Sequence, residues 1–148
     1  MGSERRKSAD ITSPISRRRL QDALEHEGFG YHVGTDGNLT ISMGVGTVSV
    51  GIDEGQSVLL SLQGFWEGDV KKDRFDVAVR LCNAWNSQKI WPRGFVFPSA
   101  KAGIFHIGCD VTVPFGFDGA TDGQLCESIQ IIAGAMALFL SHIDMSLG

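Results

Sequence analysis

The sequence predicts an α+β fold in which an antiparallel β-sheet of about five to six strands carries helices on one face. Short segments in which apolar and polar residues alternate follow one another, separated by Gly-rich turns. Three other stretches, near the start, the middle and the end of the chain, have apolar residues at helical spacing. The resulting order is helix, three or four strands, helix, two strands, helix. This is the plan of a sheet covered by helices on one side.

The length and composition predict one domain. A chain of 148 residues with 43% hydrophobic content can bury a core without disulfides or bound metal. We expect the domain to span residues 13–148, after a polar, disordered leader at residues 1–12. No apolar signal-peptide segment follows the basic start of the leader. The longest apolar run, residues 131–140, is about half the length that a bilayer requires. We therefore expect a cytoplasmic protein without a membrane span.

Charge and cysteine content exclude several classes of function. The net charge of -4 is unfavourable for phosphate backbones, so no nucleic-acid partner is expected. The basic clusters at residues 5–7 and 17–19 are interpreted as a polar terminus and a solvated helix face. Three widely spaced cysteines lack the spacing of a zinc or redox motif and are interpreted as buried thiols in a reducing compartment. The four histidines lie in different elements, so neither a metal nor a cofactor is expected.

The first helix is predicted near residues 13–28. It begins either at Ser13 or at Ser16, and in the second case Ile15 and Leu20 form a hydrophobic staple. Gly28 ends the helix because glycine accepts the left-handed conformation. The apolar stripe of this helix consists of Leu20, Ala23 and Leu24.

A meander of strands follows the first helix. The predicted strands are residues 31–33, 39–43, 47–52 and 58–66. Asp36-Gly37 and the segment from Gly44 to Gly46 have the composition of hairpin turns. Apolar residues alternate with Ser, Thr, Asn and Gln along these strands, so one sheet face is apolar and the other polar. The polar face has hardly any Lys or Glu, which indicates a surface suited to contact with a peptide or protein.

The second half of the chain predicts helix, two strands, helix. Apolar residues recur at helical spacing over residues 71–89, and Pro92 prevents that helix from continuing. Strands are predicted at residues 94–97 and 104–113. The last helix begins with Thr121 as its N-cap and Gln124 in a capping box, and runs to about Ile143.

Two short segments, Asn83-Ala84-Trp85-Asn86 and Ile90-Trp91-Pro92-Arg93, resemble the helix-to-strand junction of the YbjN-domain family. These are small bacterial proteins, described as sensory transduction regulators, whose fold is similar to that of type III secretion chaperones. The resemblance covers roughly residues 14–145. It implies the same α+β plan and a non-enzymatic module that binds a protein partner of unknown identity in a chaperone-like or regulatory way. Because type III secretion chaperones are typically homodimers, the resemblance also implies a homodimer.

Six residues are candidates for contact with that partner. Two tryptophans of the junction form either an aromatic recognition surface or a buried lock between helix and sheet. Asn86 forms hydrogen bonds either with a ligand or with the turn after the helix. Arg93 is the best-placed cation for an acidic partner. Changes on the polar sheet face are expected to leave folding intact and to abolish partner binding. The candidates are Trp85, Asn86, Trp91 and Arg93 at the junction and Gln63 and Thr112 on the polar face.

The last helix requires a second apolar partner besides the sheet. No charge occurs between Ile129 and Leu140, and apolar residues go nearly all the way round. The additional partner is either the first helix of the same chain or a second protomer. The residues proposed for dimerisation are Ile131, Ala135 and Leu138.

The alternative to a protein-binding module is a small-molecule sensor or enzyme that uses a pocket between sheet and helices. No catalytic residue is predicted, because His106 and Asp110, four apart on a strand, are roughly 13 Å apart and cannot form a direct dyad. Gly44-Val45-Gly46 lies between two strands and is interpreted as a hairpin turn, not a phosphate loop. A pocket in which His106 or a cysteine lies beside a second titratable residue would favour this alternative.

Overall fold

The structure, a computed structural model, describes residues 11–53 and 58–148. Most of the expected leader (residues 1–10, with the basic cluster at residues 5–7) lies outside the described residues. The elements are α1 (Arg17–His26), β1 (His32–Val33), β2 (Leu39–Ser42), β3 (Gly46–Asp53), β4 (Leu59–Trp66), β5 (Val70–Lys71), a 3-10 turn (Lys72–Arg74), α2 (Phe75–Gln88), β6 (Arg93–Pro98), β7 (Ile104–Pro114) and α3 (Asp122–Leu147).

All seven strands of the described residues join one antiparallel sheet. The first four form the predicted meander, each paired with the next. β7 then pairs with β4 along one edge and with β6 along the other. β5 and β6 both pair with Phe105, so β5 continues the edge that β4 occupies. The α+β class and the antiparallel sheet are confirmed, but the described residues form seven strands where about five to six were predicted.

Helices cover one face of the sheet, as predicted. α3 packs across β3, β4 and β7, α1 lies against α3, and α2 lies against β6. The sheet contributes alternate, fully buried side chains to this core, among them Val48, Val50, Leu60, Leu62 and Ile107. Within residues 11–53 and 58–148 no helix covers the other face, and we call it the open face.

α1 begins at the second of the two predicted N-caps. The hydroxyl of Ser16 accepts a hydrogen bond from the backbone N–H of Arg19, and Ile15 and Leu20 are both buried in the positions of a staple. Gly28 has the expected positive φ of 79°. The solvated interpretation of residues 17–19 is wrong for Arg19, whose guanidinium donates to the carbonyl of Ala120 and to Asp122, both at 2.8 Å. Arg19 therefore joins the start of α1 to the start of α3.

One strand was not predicted. Val70 and Lys71 pair with β7, and a 3-10 turn separates them from α2, which begins at Phe75 rather than at residue 71. Val70 is buried, so contact with the core stabilises this short strand. Two residues are too few to show a sequence periodicity.

The last helix is longer than predicted and has the predicted cap. The hydroxyl of Thr121 accepts from the N–H of Gln124, and the Gln124 side chain accepts from the N–H of Thr121. By length and composition alone, α3 is a helix that could cross a membrane. In this fold eight of its residues are buried against the sheet and the neighbouring helices, which is the arrangement of a core helix.

Candidate functional site

The strand register fixes which side chains lie next to one another on the open face. Phe65 of β4, Gly108 of β7 and Phe95 of β6 form one row across the sheet. Gln63, Asp110 and Arg93 form the next row. Two of the candidate residues, Gln63 and Arg93, thus lie on either side of Asp110, and Thr112 is in the following row, opposite Ser61.

Four aromatic rings meet on this face and form what we call the aromatic patch: Phe65, Phe95, Phe97 and His106. Phe97 is at its centre, with ring centroids 6.0 Å from Phe65, 5.9 Å from Phe95 and 5.5 Å from His106. Phe65 remains 37% exposed and the other three rings are partly buried. Partly exposed aromatic side chains are common anchors of protein interfaces.

Gly108 makes room for this arrangement. A Cβ built on Gly108 would lie 2.8 Å from Cε2 of Phe95 and 3.3 Å from the carbonyl oxygen of Gly64. The absence of a side chain at Gly108 therefore allows the Phe95 ring to pack closely against the strand.

Charged groups border the patch. The Arg93 guanidinium donates two hydrogen bonds to Asp110, from Nε at 3.1 Å and from Nη2 at 2.9 Å, and lies 5.6 Å from the centre of the Phe95 ring. The hydrogen bond to Asp110 raises the pKa of Arg93. Arg93 is therefore a paired charge, whereas the sequence suggested a cation available to an acidic partner. On the opposite side, Asp69 lies 3.5 Å from Nδ1 of His106, and Glu67 is exposed.

The junction residues Trp85 and Asn86 lie away from the open face and join α2 to β6. Nε1 of Trp85 donates to the carbonyl of Pro92 at 3.1 Å, and the ring packs edge-on to Phe139 at 5.3 Å. The Asn86 amide donates to the carbonyl of Gly94 at 2.9 Å and accepts from its N–H at 2.8 Å. Asn86 thus satisfies both backbone groups of an edge-strand residue, as a neighbouring strand would.

Replacing Asn86 by alanine is expected to destabilise the protein by about 1–3 kcal/mol, because both Gly94 groups lose their partner at a partly buried position. Urea unfolding measures the change. Asn83→Ala, at an exposed position one turn earlier in α2, is the matched control and should cost about 0.5 kcal/mol or less. Equal costs for the two variants would contradict the structural role of Asn86.

Trp91 lies neither on the open face nor inside the junction between α2 and β6. Its side chain is 47% exposed, follows the end of α2 and lines a shallow groove of about 190 Å³ together with Val113 and Ile131. Ile131 and Leu138 are exposed on the outer side of α3, and Ala135 is partly buried. The structure therefore separates the candidates into the open face, the internal junction and the outer side of α3.

Sequence reasoning missed the three phenylalanines of the patch. Phe65 continues the alternation of Ser61 and Gln63 on β4, and this signal could have placed it on the same face as those two residues. Phe95 and Phe97 flank Val96, and an unbroken apolar run does not reveal which of its residues face the core. The open face is therefore polar over β2, β3 and the rows of Gln63 and Thr112, and aromatic at the patch on β4, β6 and β7.

One groove places a cysteine beside other titratable residues, which is the arrangement that would favour a small-molecule site. A cleft of about 470 Å³ between α1 and α3 is lined by Cys126, His26 and Asp122. Burial, followed by Glu27 and Asp122, raises the pKa of Cys126, so this thiol stays protonated and is a poor nucleophile at neutral pH. Burial also raises the pKa of Cys82 to about 11 and that of Cys109 to about 12. Within residues 11–53 and 58–148, no three metal-binding side chains cluster.

Comparisons with known proteins agree with the fold. A solved structure, "Crystal structure of YbjN, a putative transcription regulator from E. coli", superimposes with a TM-score of 0.70 over 90% of this chain and 96% of that one, at 10% sequence identity. At that identity the likeness establishes the fold alone. No curated protein sequence matches the chain. The family profile of YbjN, described as "Putative bacterial sensory transduction regulator", matches residues 16–145. Since this match spans both the junction motifs and the whole sheet, the chain belongs to the YbjN family.

Proposed function

We propose that this YbjN-family chain is a non-enzymatic module that binds another protein, in a chaperone-like or regulatory way, through the open face of its sheet. The observation that carries the proposal is the aromatic patch, in which three phenylalanines and His106 meet on a face that none of the described helices covers. Burying partly exposed aromatic rings is a strong source of binding energy, because each ring has a large apolar area and few rotatable bonds.

The border of the patch indicates the chemistry of the partner. Asp69 lies beside His106 and Glu67 is exposed two residues after Phe65, while the charge of Arg93 is already balanced by Asp110. An apolar or aromatic segment with a nearby basic residue complements this surface in both shape and charge. The three cysteines are free thiols, which fits a reducing compartment such as the cytoplasm.

Quantitative affinity capture from a lysate of the native cell tests the location of the site. The double variant Gln63→Lys/Thr112→Lys places two positive charges next to Asp110 on the open face, where they repel a basic partner, and it is expected to reduce recovery of the partner about 10-fold or more. Asn83→Lys, an equivalent change on the exposed side of α2, is the control and should not alter recovery. Equal recovery with all three proteins would contradict the proposed face.

A small-molecule function rests on the cleft between α1 and α3. His26, Cys126 and Asp122 provide polar groups there, and Leu125 and Ala23 provide apolar walls. The protonated state of Cys126 favours non-covalent binding over catalysis. A ligand in this cleft would raise the melting temperature of the wild-type protein but not that of His26→Trp, in which a larger exposed side chain obstructs the cleft.

A further inference from the structure

One edge of β7 is longer than the strand that covers it. β7 runs to Pro114, but its pairing with β6 ends where Arg93 lies opposite Asp110. On its other edge β7 stays paired with β4 as far as Pro114. Within residues 11–53 and 58–148, no strand pairs with β7 beyond Asp110 on the β6 side. The last residues of β7 therefore present an uncovered sheet edge next to the start of β6.

The hydrogen-bonding pattern shows which backbone groups face this edge. Asn86 bonds to both backbone groups of Gly94, so these groups point away from β7. Successive residues of a strand direct their backbone groups to opposite sides, so it is Arg93 that bonds to Asp110. On β7 the same alternation directs the N–H and C=O of Thr112 to the uncovered edge. In the described part of the chain, these two groups make no backbone hydrogen bond.

Thr112 and Pro114 determine how much chain this edge can bind. Unpaired N–H and C=O groups of a sheet edge form main-chain hydrogen bonds with an added extended segment. Thr112 supplies a donor and an acceptor. Pro114, two residues later, supplies an acceptor only, because proline has no N–H. The edge therefore suits a short extended segment rather than a long strand.

An apolar groove on the helix-covered side of the sheet lies directly beside the edge. It is lined by Trp91, Val113, Ile131 and Ile132. Its volume of about 190 Å³ is below the roughly 300–1,000 Å³ of typical small-molecule sites. Side chains of a strand alternate between the two faces of a sheet, so a segment added at the edge directs one side chain into this groove. That side chain would cover Trp91 and Ile131, which are 47% and 52% exposed.

The polar rim of the groove indicates the charge of the segment. Gln124, Glu127 and Ser128 of α3 also line the groove. Glu127 is exposed, and none of the ion pairs among the described residues includes it. Its carboxylate complements a Lys or Arg next to the apolar residue of the segment.

We propose that this edge of β7, which we call the edge site, binds an extended segment of a partner protein by strand addition, in line with β6 and antiparallel to β7. The segment exchanges hydrogen bonds with Thr112 and inserts one apolar side chain between Trp91 and Ile131. Its basic side chain lies near Glu127. Thr112 is four residues, roughly 13 Å, from Gly108, so the edge site is separate from the aromatic patch and does not depend on it.

Amide hydrogen exchange of the free protein, followed by NMR, tests whether the edge is open. The N–H groups of Val111 and Val113 face β4 and should exchange slowly. The N–H of Thr112, between them, should exchange at least about 10-fold faster. Equal protection of the three amides would show a covered edge and overturn the proposal. Protection of Thr112 that rises with protein concentration would place a second copy at the edge and overturn it as well.

Selection from a phage library of random short peptides tests the groove. The wild-type protein is the bait, and Ile131→Arg, which puts a charged side chain into the groove, is the counter-selection. Selected peptides should carry an apolar residue beside a Lys or Arg and bind the wild type at least about 10-fold more tightly than Ile131→Arg. Leu138→Arg is the matched control, on the same side of α3 but outside the groove, and should bind them like the wild type.

Two results of the selection would overturn the proposal. One is that no peptide is enriched after counter-selection. The other is that the selected peptides lose as much affinity for Leu138→Arg as for Ile131→Arg, because the effect would then follow the charge of α3 and not the groove.

A selected peptide then tests the backbone pairing. Its binding should slow exchange of the Thr112 N–H at least about 10-fold. Thr112→Pro removes this N–H at an edge position, where proline is tolerated, and should weaken binding about 10-fold or more. Thr112→Ser retains the N–H and should restore the affinity. Unchanged exchange of Thr112 in the complex would mean that the side chain binds without strand addition, and this result overturns the proposal even if Thr112→Pro does not fold.

Phe97→Ser separates the edge site from the proposed function. This change removes the centre of the aromatic patch and should leave the affinity for the selected peptide unchanged. Equal loss of peptide binding in Phe97→Ser and Ile131→Arg would place the peptide on the open face and overturn the edge site.

Discussion

Replacing Phe97 by serine is expected to lower the affinity for the protein partner by about 30-fold or more, the usual effect of removing an aromatic hot spot. Phe97 contacts the other three rings of the aromatic patch, so its loss removes one anchor and also releases its neighbours. Titration calorimetry or surface plasmon resonance with the captured partner measures the change. The cost in unfolding free energy should be only about 1–2 kcal/mol, because the ring is partly exposed.

Phe117→Ser controls for the general loss of an exposed phenylalanine. Phe117 is more exposed than any ring of the patch but lies in the loop before α3. If both serine variants bound the partner as tightly as the wild type, the aromatic patch would not be the binding surface. If both weakened binding equally, the effect would not be specific to the open face.

The second large effect is expected at the family-specific junction. Gly94→Ala should destabilise the protein by about 1–3 kcal/mol, because the added Cβ would lie 2.6 Å from Cε2 and 2.7 Å from Cζ of Phe139. The φ of Gly94 is not positive, so alanine meets no backbone strain. Phe139 is fully buried beneath Trp85 and has little freedom to move away.

A double-mutant cycle identifies the cause. In a Phe139→Leu background the ring atoms that oppose the Cβ are gone, so the cost of Gly94→Ala should fall by about 1 kcal/mol or more. Gly30→Ala, where the Cβ would meet open space, is the control and should give the same small change in both backgrounds. Chemical denaturation of the six proteins supplies the free energies. Additive costs for Gly94→Ala and Phe139→Leu would show that the two positions do not interact.

Local patterns predicted most of the framework. Helix caps and hairpin turns depend on interactions within a few residues of the chain. Those at the predicted positions are Ser16, Gly28, Thr121 and the hairpin glycines. β5 was not predicted because two residues are too few to show a periodicity. The strand forms only through its pairing with β7, more than 30 residues later in the chain.

The residues of the proposed binding surface were predicted less completely. Gln63, Arg93 and Thr112 were expected to be accessible, and all three are exposed on the open face. The aromatic patch depends on β4, β6 and β7 being brought side by side, so no single segment contains its signal. The pairing of Arg93 with Asp110 likewise joins residues of two strands and changes the role first assigned to the arginine.

Site-specific photo-cross-linking in the native cell tests the proposed binding face most directly. A photoreactive phenylalanine analogue in place of Phe65, at the edge of the aromatic patch, should form a covalent adduct with one defined protein. The same analogue in place of Phe117 should not form that adduct. Adduct formation only from position 65 is the predicted result. A Phe65 position that captures no protein, while Phe117 or the outer side of α3 captures one, would contradict the assignment of the open face as the protein-binding surface.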